Sequence, residues 1–298
     1  MHVFTEPYAG SAPIVQLVDS AHRGEDVNME VYYLSDRHII SALRAADARG
    51  VKVRIILEKK PYGMASWKVR KEIQEARATG ASVRWAPPRF TSHGSYWAFE
   101  HAKFVCDNYS CEIGSANYGW DDFHRNRDYV VLTGNARVVS AANAVFNADW
   151  NNQHAPYYAH QALVLSPGTS AAQLLHVINQ PGPIDIESEE MGPYRPTLDT
   201  IARKGHLARV ILPASINRED KRDVAYLRRH GVQVRLMPAR PTYIHAKMIC
   251  GDRVAFIGSE NFTQTSLQKN REMGVLLQGA ANLRKLHAQF ERDWQAAG

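Results

Sequence analysis

The tripeptide His-Ala-Lys occurs at residues 101–103 and again at 245–247, and each copy is followed by a Gly-Ser-x-Asn segment. From this point the chain repeats itself at a fixed offset of 144 residues. His101 aligns with His245, Lys103 with Lys247, Ser115 with Ser259, Asn117 with Asn261, Asn126 with Asn270, and Asp128 with Glu272. Phe146, Asp149 and Trp150 continue the register onto Phe290, Asp293 and Trp294. One such match is compatible with chance; six polar positions in one register are not. Loop lengths elsewhere drift between the copies while this spacing does not, which is what a fixed geometric constellation demands.

Upstream, each copy alternates strand-like and helix-like segments. NMEVYYL (28–34) reads as a strand. SDRHIISALRAADARG (35–50) reads as a helix capped by Ser35 or Asp36, with Ile39, Ile40, Leu43 and Ala46 inward and Gly50 closing it. VKVRIILE, KVRKEIQEARATG and SVRW give strand, helix and short strand, and IDIESEE, YRPTLDTIARKG, ARVILP, KRDVAYLRRHG and VQVRLMP replay the order in the second half. The alternation predicts an α/β fold: two repeats, each a mixed sheet flanked by helices, packed with pseudo-two-fold symmetry around one shared site. The expected domains are residues 1–157 and 158–298, with NNQHAPYYAHQ (151–161) as connector.

Composition narrows the function class. The 298 residues are 45% apolar and 22% charged, which describes a globular chain. A formal charge of +6 favours an anionic partner, such as a phospholipid surface or nucleic acid, although the excess is spread along the chain. There is no window of eighteen apolar residues to span a membrane, and the start, MHVFTEPYAG, does not read as a signal peptide. This leaves a cytoplasmic location, or export with a leader removed, equally open. GxxxxGK and HExxH are absent, so neither a nucleotide, a metal nor another cofactor is expected. Cys106, Cys111 and Cys250 are too few for a disulfide scaffold; Cys106 and Cys111 can flank a turn and pair, whereas Cys106 and Cys250 take equivalent apolar places on the repeated strand.

HAKFVCD and HAKMICG alternate polar and apolar residues as they enter a strand, so His101 and Lys103 share one face, as do His245 and Lys247. Adjacent cationic groups make sense with an anion between them. The GSxN segments, read as opening a further strand or turn, supply hydroxyl and amide donors from Ser115, Ser259, Asn117 and Asn261. Asp128 and Glu272 supply carboxylates that can fix the tautomer of an imidazole. Converged by two-fold association, this set suits cleavage of a phosphodiester without a metal. One histidine attacks phosphorus, the other protonates the leaving oxygen, and the lysines and amides stabilise charge on the non-bridging oxygens.

The pattern HxK, GSxN and NRE in HAKMICGD, GSEN and NRE resembles the two-HKD phospholipase D superfamily over nearly the whole chain. The resemblance implies catalytic roles for His101, His245, Lys103, Lys247, Asn117, Asn261, Asp128 and Glu272, with support at the phosphate from Ser115, Ser259, Asn126 and Asn270. It also implies that His101 is the nucleophile and His245 the general acid; the internal symmetry alone does not choose between them. The first copy departs in carrying Asn108 where the motif has Asp, with Asp107 one place early, and Asp128 where the second copy has Glu272. The expected reaction is cleavage of a phospholipid head-group phosphodiester, with transfer to an alcohol in reach. The alternatives are a metal-independent endonuclease and an inactive phosphate- or lipid-binding module. Two segments bear on the substrate without deciding it: the aromatic stretch APPRFTSHGSYWAFE, and KKPYGMASWKVRK, whose five basic residues accompany Tyr62 and Trp67. Both half-sites lie in one chain, so a monomer suffices.

Overall fold

The computed structural model describes residues 1–298. The segment that reads as a plain lead-in forms β1 (His2–Thr5) and α1 (Ala12–Ser20). There follow β2 (Asp26–Val31), α2 (Arg37–Ala48), β3 (Lys52–Leu57), α3 (Ser66–Arg77), β4 (Ser82–Trp85), β5 (Lys103–Cys106) and β6 (Cys111–Gly114). The first half ends with α4 (Trp120–His124), β7 (Asn126–Arg127), β8 (Tyr129–Thr133) and α5 (Ala136–Trp150). The second half opens with α6 (Tyr157–Ala162), inside the stretch read as connector, then β9 (Val164–Ser166), α7 (Ser170–Ile178) and β10 (Ile184–Ser188). It continues through α8 (Arg195–Lys204), β11 (Ala208–Pro213), α9 (Arg218–Arg229), β12 (Gln233–Met237), β13 (Tyr243–Ile244) and β14 (Lys247–Gly251). The chain closes with β15 (Ala255–Gly258), α10 (Gln264–Gln268), β16 (Glu272–Leu277) and α11 (Ala280–Ala296).

Local chemistry sets the boundaries. Asp36 caps α2 by accepting from the backbone N–H groups of His38 and Ile39, both at 3.0 Å, and Asn135 and Asn217 cap α5 and α9 in the same way. Gly50, at φ 85°, takes the left-handed turn that ends the first helix–strand unit.

The two sheets are copies of one topology. The first has the order β1-β8-β6-β5-β2-β3-β4 and the second β9-β16-β15-β14-β10-β11-β12. In each, three parallel strands, the ones joined by helical crossovers, continue into antiparallel strands. One face of the first sheet packs on α1, α2 and α3, and one face of the second on α7, α8 and α9. The remaining faces meet each other, with α5 and α11, in a single core that includes Phe104, Ile113, Tyr129, Met248, Ile257 and Phe290. Trp150 and Trp294 close this core at matched places, each stacked under two arginines: Arg54 and Arg84, or Arg209 and Arg235. Cys106 and Cys111 form a disulfide across the β5–β6 hairpin, and Cys250 is a buried free thiol. No helix is long and apolar enough to cross a membrane.

The halves are locked by a reciprocal pair of buried ion pairs. Arg127 in β7 forks onto Asp293 in α11, with Nε 2.7 Å and Nη2 3.0 Å from the two carboxylate oxygens. Arg271, beside β16, forks onto Asp149 in α5 at 2.6 and 3.1 Å. Each arginine also donates to the other end of its neighbourhood, Arg127 to the Glu6 carbonyl and Arg271 to the Ser166 carbonyl. Bidentate pairing of this kind fixes orientation as well as distance. Removing one partner leaves the other buried and unpaired, so Arg127→Ala and Arg271→Ala should each destabilise the fold by ~3–5 kcal/mol in urea denaturation. Arg125→Ala, which breaks the exposed pair with Asp121, should change stability by under about 1 kcal/mol. Equal effects at buried and exposed sites would refute the locking role.

Candidate active site

The histidine-bearing strands are threaded through the opposite repeat before they enter their own sheets. The His101 N–H donates to the Arg271 carbonyl at 2.9 Å, next to a parallel bridge between Glu100 and Arg271. In mirror image, the His245 N–H donates to the Arg127 carbonyl at 3.1 Å, next to the parallel β13–β7 pairing. The acid that follows each arginine therefore lies against the histidine of the other half. His101 Nδ1 is 2.8 Å from Glu272 Oε2, and His245 Nδ1 is 2.9 and 3.1 Å from the two oxygens of Asp128. The carboxylate behind each imidazole is thus crossed between repeats. Asp128 compensates for its shorter side chain by presenting both oxygens. With each Nδ1 engaged, Nε2 is the nitrogen left for chemistry.

The lysines share the histidine faces, as the two-residue spacing predicts. Both are fully buried, and each ammonium donates to the carbonyl of its own histidine, Lys103 at 2.5 Å and Lys247 at 2.6 Å. The GSxN segments close strands instead of opening them: Gly114 and Gly258 are the last residues of β6 and β15, and Ser and Asn fall in the turns beyond. A Cβ on either glycine would press into the neighbouring strand, 2.4 Å from the Tyr129 carbonyl or 2.6 Å from the Gly274 Cα. Asn117 and Asn261 both keep a buried carboxamide oxygen without a partner, so their amides retain capacity for a ligand. The other polar positions brace the carboxylates. The Ser115 hydroxyl donates to Asp128 at 2.6 Å, the Ser259 hydroxyl accepts from the Met273 N–H, and Asn270 holds Glu272 at 3.0 Å. Asn126 donates to Asp122 at 3.2 Å. Asn108 lies away from the site and accepts from the Asp26 N–H, while Asp107 ties the turn at Tyr109 and Ser110.

Several site residues carry no mark in the repeat. Ser266 donates to Glu272 at 2.6 Å, and Asp122 stands 3.9 Å from His245 Nδ1. Burial pushes the Asp122 carboxyl up to about 7, opposed by His245. Glu189, just beyond β10, lies 2.8 Å from Lys247 Nζ and 3.5 Å from His245 Nε2. Tyr32, just beyond β2, sets its ring edge-on to His101 with centroids 4.9 Å apart, and Lys103 Nζ lies 5.3 Å from the same ring. Arg127 and Arg271 did have a signal, since they stand between the aligned Asn and acid at the same offset.

This inequality separates the two histidines electrically. Burial lowers His101 to about 4, with the neighbouring Lys103 and Lys247 adding to the effect against Glu272. His245 is equally buried, but Asp128 and Glu189 outweigh burial and Lys247 and raise it above its ordinary value. At neutral pH His101 is a free imidazole and His245 an imidazolium. Burial also lowers Lys103 to about 7.

Two groups of acidic and imidazole donors are close enough to hold a cation, but both are internally bonded. Asp122, Asp128 and His245 lie within 4.8 Å of one another, with Asp128 already on the imidazole and Ser115. Glu30, Glu100 and Asp149 form the other group, with the Arg271 guanidinium across Asp149.

Comparison with known proteins agrees with this geometry. The family model described as "Cardiolipin synthase, PLD-like domain" matches residues 14–150 and 193–294, and the chain belongs to this family within the phospholipase D superfamily. A search of curated proteins returns no match. Among solved structures, a polyphosphate kinase from Porphyromonas gingivalis superposes with a TM-score of 0.71 at 14% identity, covering 97% of this chain and 46% of the kinase. The chain therefore spans less than half the length of that protein. A phosphatidylserine synthase from Haemophilus influenzae superposes with a TM-score of 0.66 at 11% identity, covering 99% of this chain and 85% of the synthase. Nuc from Salmonella typhimurium, a phospholipase D family member, covers 51% of this chain at 21% identity and a TM-score of 0.43, with 95% of its own length matched. The structural likenesses establish the two-repeat fold, and family membership supports a phosphoryl-transfer function.

The separation of the histidines is directly measurable. In nitrogen-15 NMR titration, one imidazole should stay neutral until the pH falls to about 4, while the other remains protonated above the usual histidine midpoint. Asp128→Asn should lower the second titration and leave the first nearly unmoved. A downward shift of the acidic titration instead would reverse the assignment.

Proposed function

We propose that the protein is a phosphodiesterase of the phospholipase D type, which cleaves a phospholipid head-group ester through a covalent phosphohistidine on His101. The observation that carries the reading is the pair of buried His–carboxylate couples in opposite protonation states, set among two lysines and two underused asparagine amides. The His101 Nε2 lone pair attacks phosphorus and forms a P–N bond as the P–O bond to the head group breaks. The departing oxygen takes the proton from His245 Nε2. Water then surrenders a proton to His245 as its oxygen bonds phosphorus and the P–N bond breaks, releasing the phosphate monoester. An alcohol in place of water yields a new diester by the same path. Lys103, Lys247, Asn117 and Asn261 stabilise the non-bridging oxygens. Ser115, Ser259, Asn126, Asn270, Asp128 and Glu272 act behind them by fixing the imidazoles and the turns that carry the amides.

The lipid reading draws support from the family description and from the rim of the site. Tyr62, Trp67, Trp97 and Trp120 are each more than half exposed, and Lys60, Lys68 and Arg125 lie among them. Aromatic rings beside cationic chains suit the interface of an anionic membrane. The same rim would also stack the bases of a single-stranded nucleic acid, so that reading stays in the assay.

The experiment is head-group release and phosphatidylethanol formation from mixed phosphatidylcholine and phosphatidylglycerol vesicles with ethanol and EDTA, run beside single- and double-stranded DNA. His101→Ala and His245→Ala should each lower kcat/KM on the lipid by at least ~10²–10⁴. With bis(p-nitrophenyl) phosphate, whose leaving group departs without a proton, His245→Ala should lose far less than His101→Ala. The rate should rise as pH increases through about 4, where His101 loses its proton, and fall once His245 loses its own above the ordinary histidine range. DNA cleavage without lipid turnover would replace the lipid reading with a nuclease.

A further inference from the structure

Strand register shows that Tyr32 and Glu189 are structural equivalents. Val31 pairs with Lys103 across β2 and β5, and Ser188 pairs with Lys247 across β10 and β14; Tyr32 and Glu189 are the next residues along. In the first half the lysine therefore faces an aromatic ring and no carboxylate. In the second half the lysine carries a carboxylate at 2.8 Å, whose same oxygen reaches His245 Nε2 at 3.5 Å. An anionic diester is drawn toward the uncompensated Lys103 and repelled by Glu189. The non-bridging oxygens thus belong on the His101–Lys103 side, and the leaving alcohol belongs beside His245 and Glu189.

Glu189 has capacity left for that alcohol. Its side chain is 24% exposed, against 10% for His245 and 0% for Lys247, so it borders the opening. Oε2 is occupied by Lys247, while Oε1 receives only a long 3.4 Å contact from the Tyr243 hydroxyl. A carboxylate accepts about four hydrogen bonds, so Glu189 offers free acceptor positions next to the oxygen that departs. The adjacent Glu190 and the rings of Tyr32 and Phe99 add an acid and aromatic surface.

We infer that Glu189 determines leaving-group specificity, selecting diesters whose departing alcohol carries a hydroxyl or ammonium donor near the ester oxygen. The inference rests on the phosphodiesterase reading and adds the chemical class of the alcohol. A site built to accept such a donor discriminates against the alcohol that lacks it, because the acceptor is then desolvated without a partner.

The test uses three diacyl phosphodiesters that differ only in the leaving alcohol, namely glycerol, ethanolamine or ethanol, in vesicles of otherwise constant composition. For the unmutated protein, kcat/KM should be at least ~10-fold higher for the glycerol and ethanolamine esters than for the ethyl ester. Glu189→Gln should abolish the ethanolamine preference and keep part of the glycerol preference, since the amide oxygen still accepts a hydrogen bond. Glu189→Ala should bring both ratios to about one. No preference in the unmutated protein, or an equal fall on all three esters in Glu189→Ala, would overturn the inference. If none of the esters is turned over, the phosphodiesterase reading falls, and binding then decides this one. Calorimetric titration of the full chain should show glycerol 3-phosphate and phosphoethanolamine binding ~10-fold tighter than ethyl phosphate, a preference lost in Glu189→Ala. Equal affinities would reject it.

Discussion

The crossed pairing of an Asn-Arg-acid segment from one repeat with the His-Ala-Lys strand of the other is the constraint on which the site depends. Its arginine reaches outward to an aspartate on the partner repeat's closing helix, and its acid reaches inward to the partner's histidine. Its backbone carbonyl accepts from that histidine's own N–H. Three different contacts thus converge on a segment a few residues long, and they occur twice. A buried ion pair contributes little net stability against apolar packing, but it penalises every misaligned arrangement heavily. Here that selectivity acts on the docking angle of the two repeats, which is also the parameter that sets the distance between the two imidazoles. Neither repeat can orient its own histidine alone.

A symmetric frame would give two equivalent histidines, and a two-step displacement needs two different ones. The backbone frame stays close to two-fold while the side chains next to the lysines diverge. Tyr32 leaves Lys103 to depress His101, whereas Glu189 neutralises Lys247 and adds its charge to that of Asp128 at His245. The polarity of the site is therefore set at one strand end in each repeat, outside the repeated motif itself.

That location explains what could and could not be read from the sequence. The register of 144 residues carried the α/β repeat, the convergence of His101, Lys103, His245 and Lys247, and the presence of Asp128 and Glu272 behind the imidazoles. Asp36, Ile39 and Gly50 announced α2 through capping and periodicity. The crossing was not legible, because a sequence offset says that two segments are equivalent and not which half each one docks against. Tyr32 and Glu189 were hidden for a second reason. They lie upstream of a loop whose length drifts, so they leave the common register, and they differ chemically, so a search for identity passes over them. β1 and α1 were missed because strand β1 finds its partner only in β8, far along the chain. The reading of GSxN as a strand start put the glycine on the wrong side of the turn. Its role is to let β6 and β15 approach their neighbours closely at the last residue.

Charge balance then bears on how the proposed chemistry turns over. With His101 neutral and Asp122 held up to about 7 by burial, the remaining charged groups are three carboxylates, Asp128, Glu189 and Glu272, against His245, Lys103 and Lys247. A site near neutrality accepts a monoanionic diester through directed hydrogen bonds without a large excess of positive charge to hold it. The monoester produced by hydrolysis carries nearly one further negative charge at neutral pH, and Glu189 and the two orienting carboxylates oppose it. Lys103, lowered to about 7, can also give up its proton and weaken the hold further. A strongly cationic pocket would bind its product more tightly than its substrate. This arrangement spends its charge on distinguishing the histidines, so the gain in anionic charge on cleavage becomes a force for release.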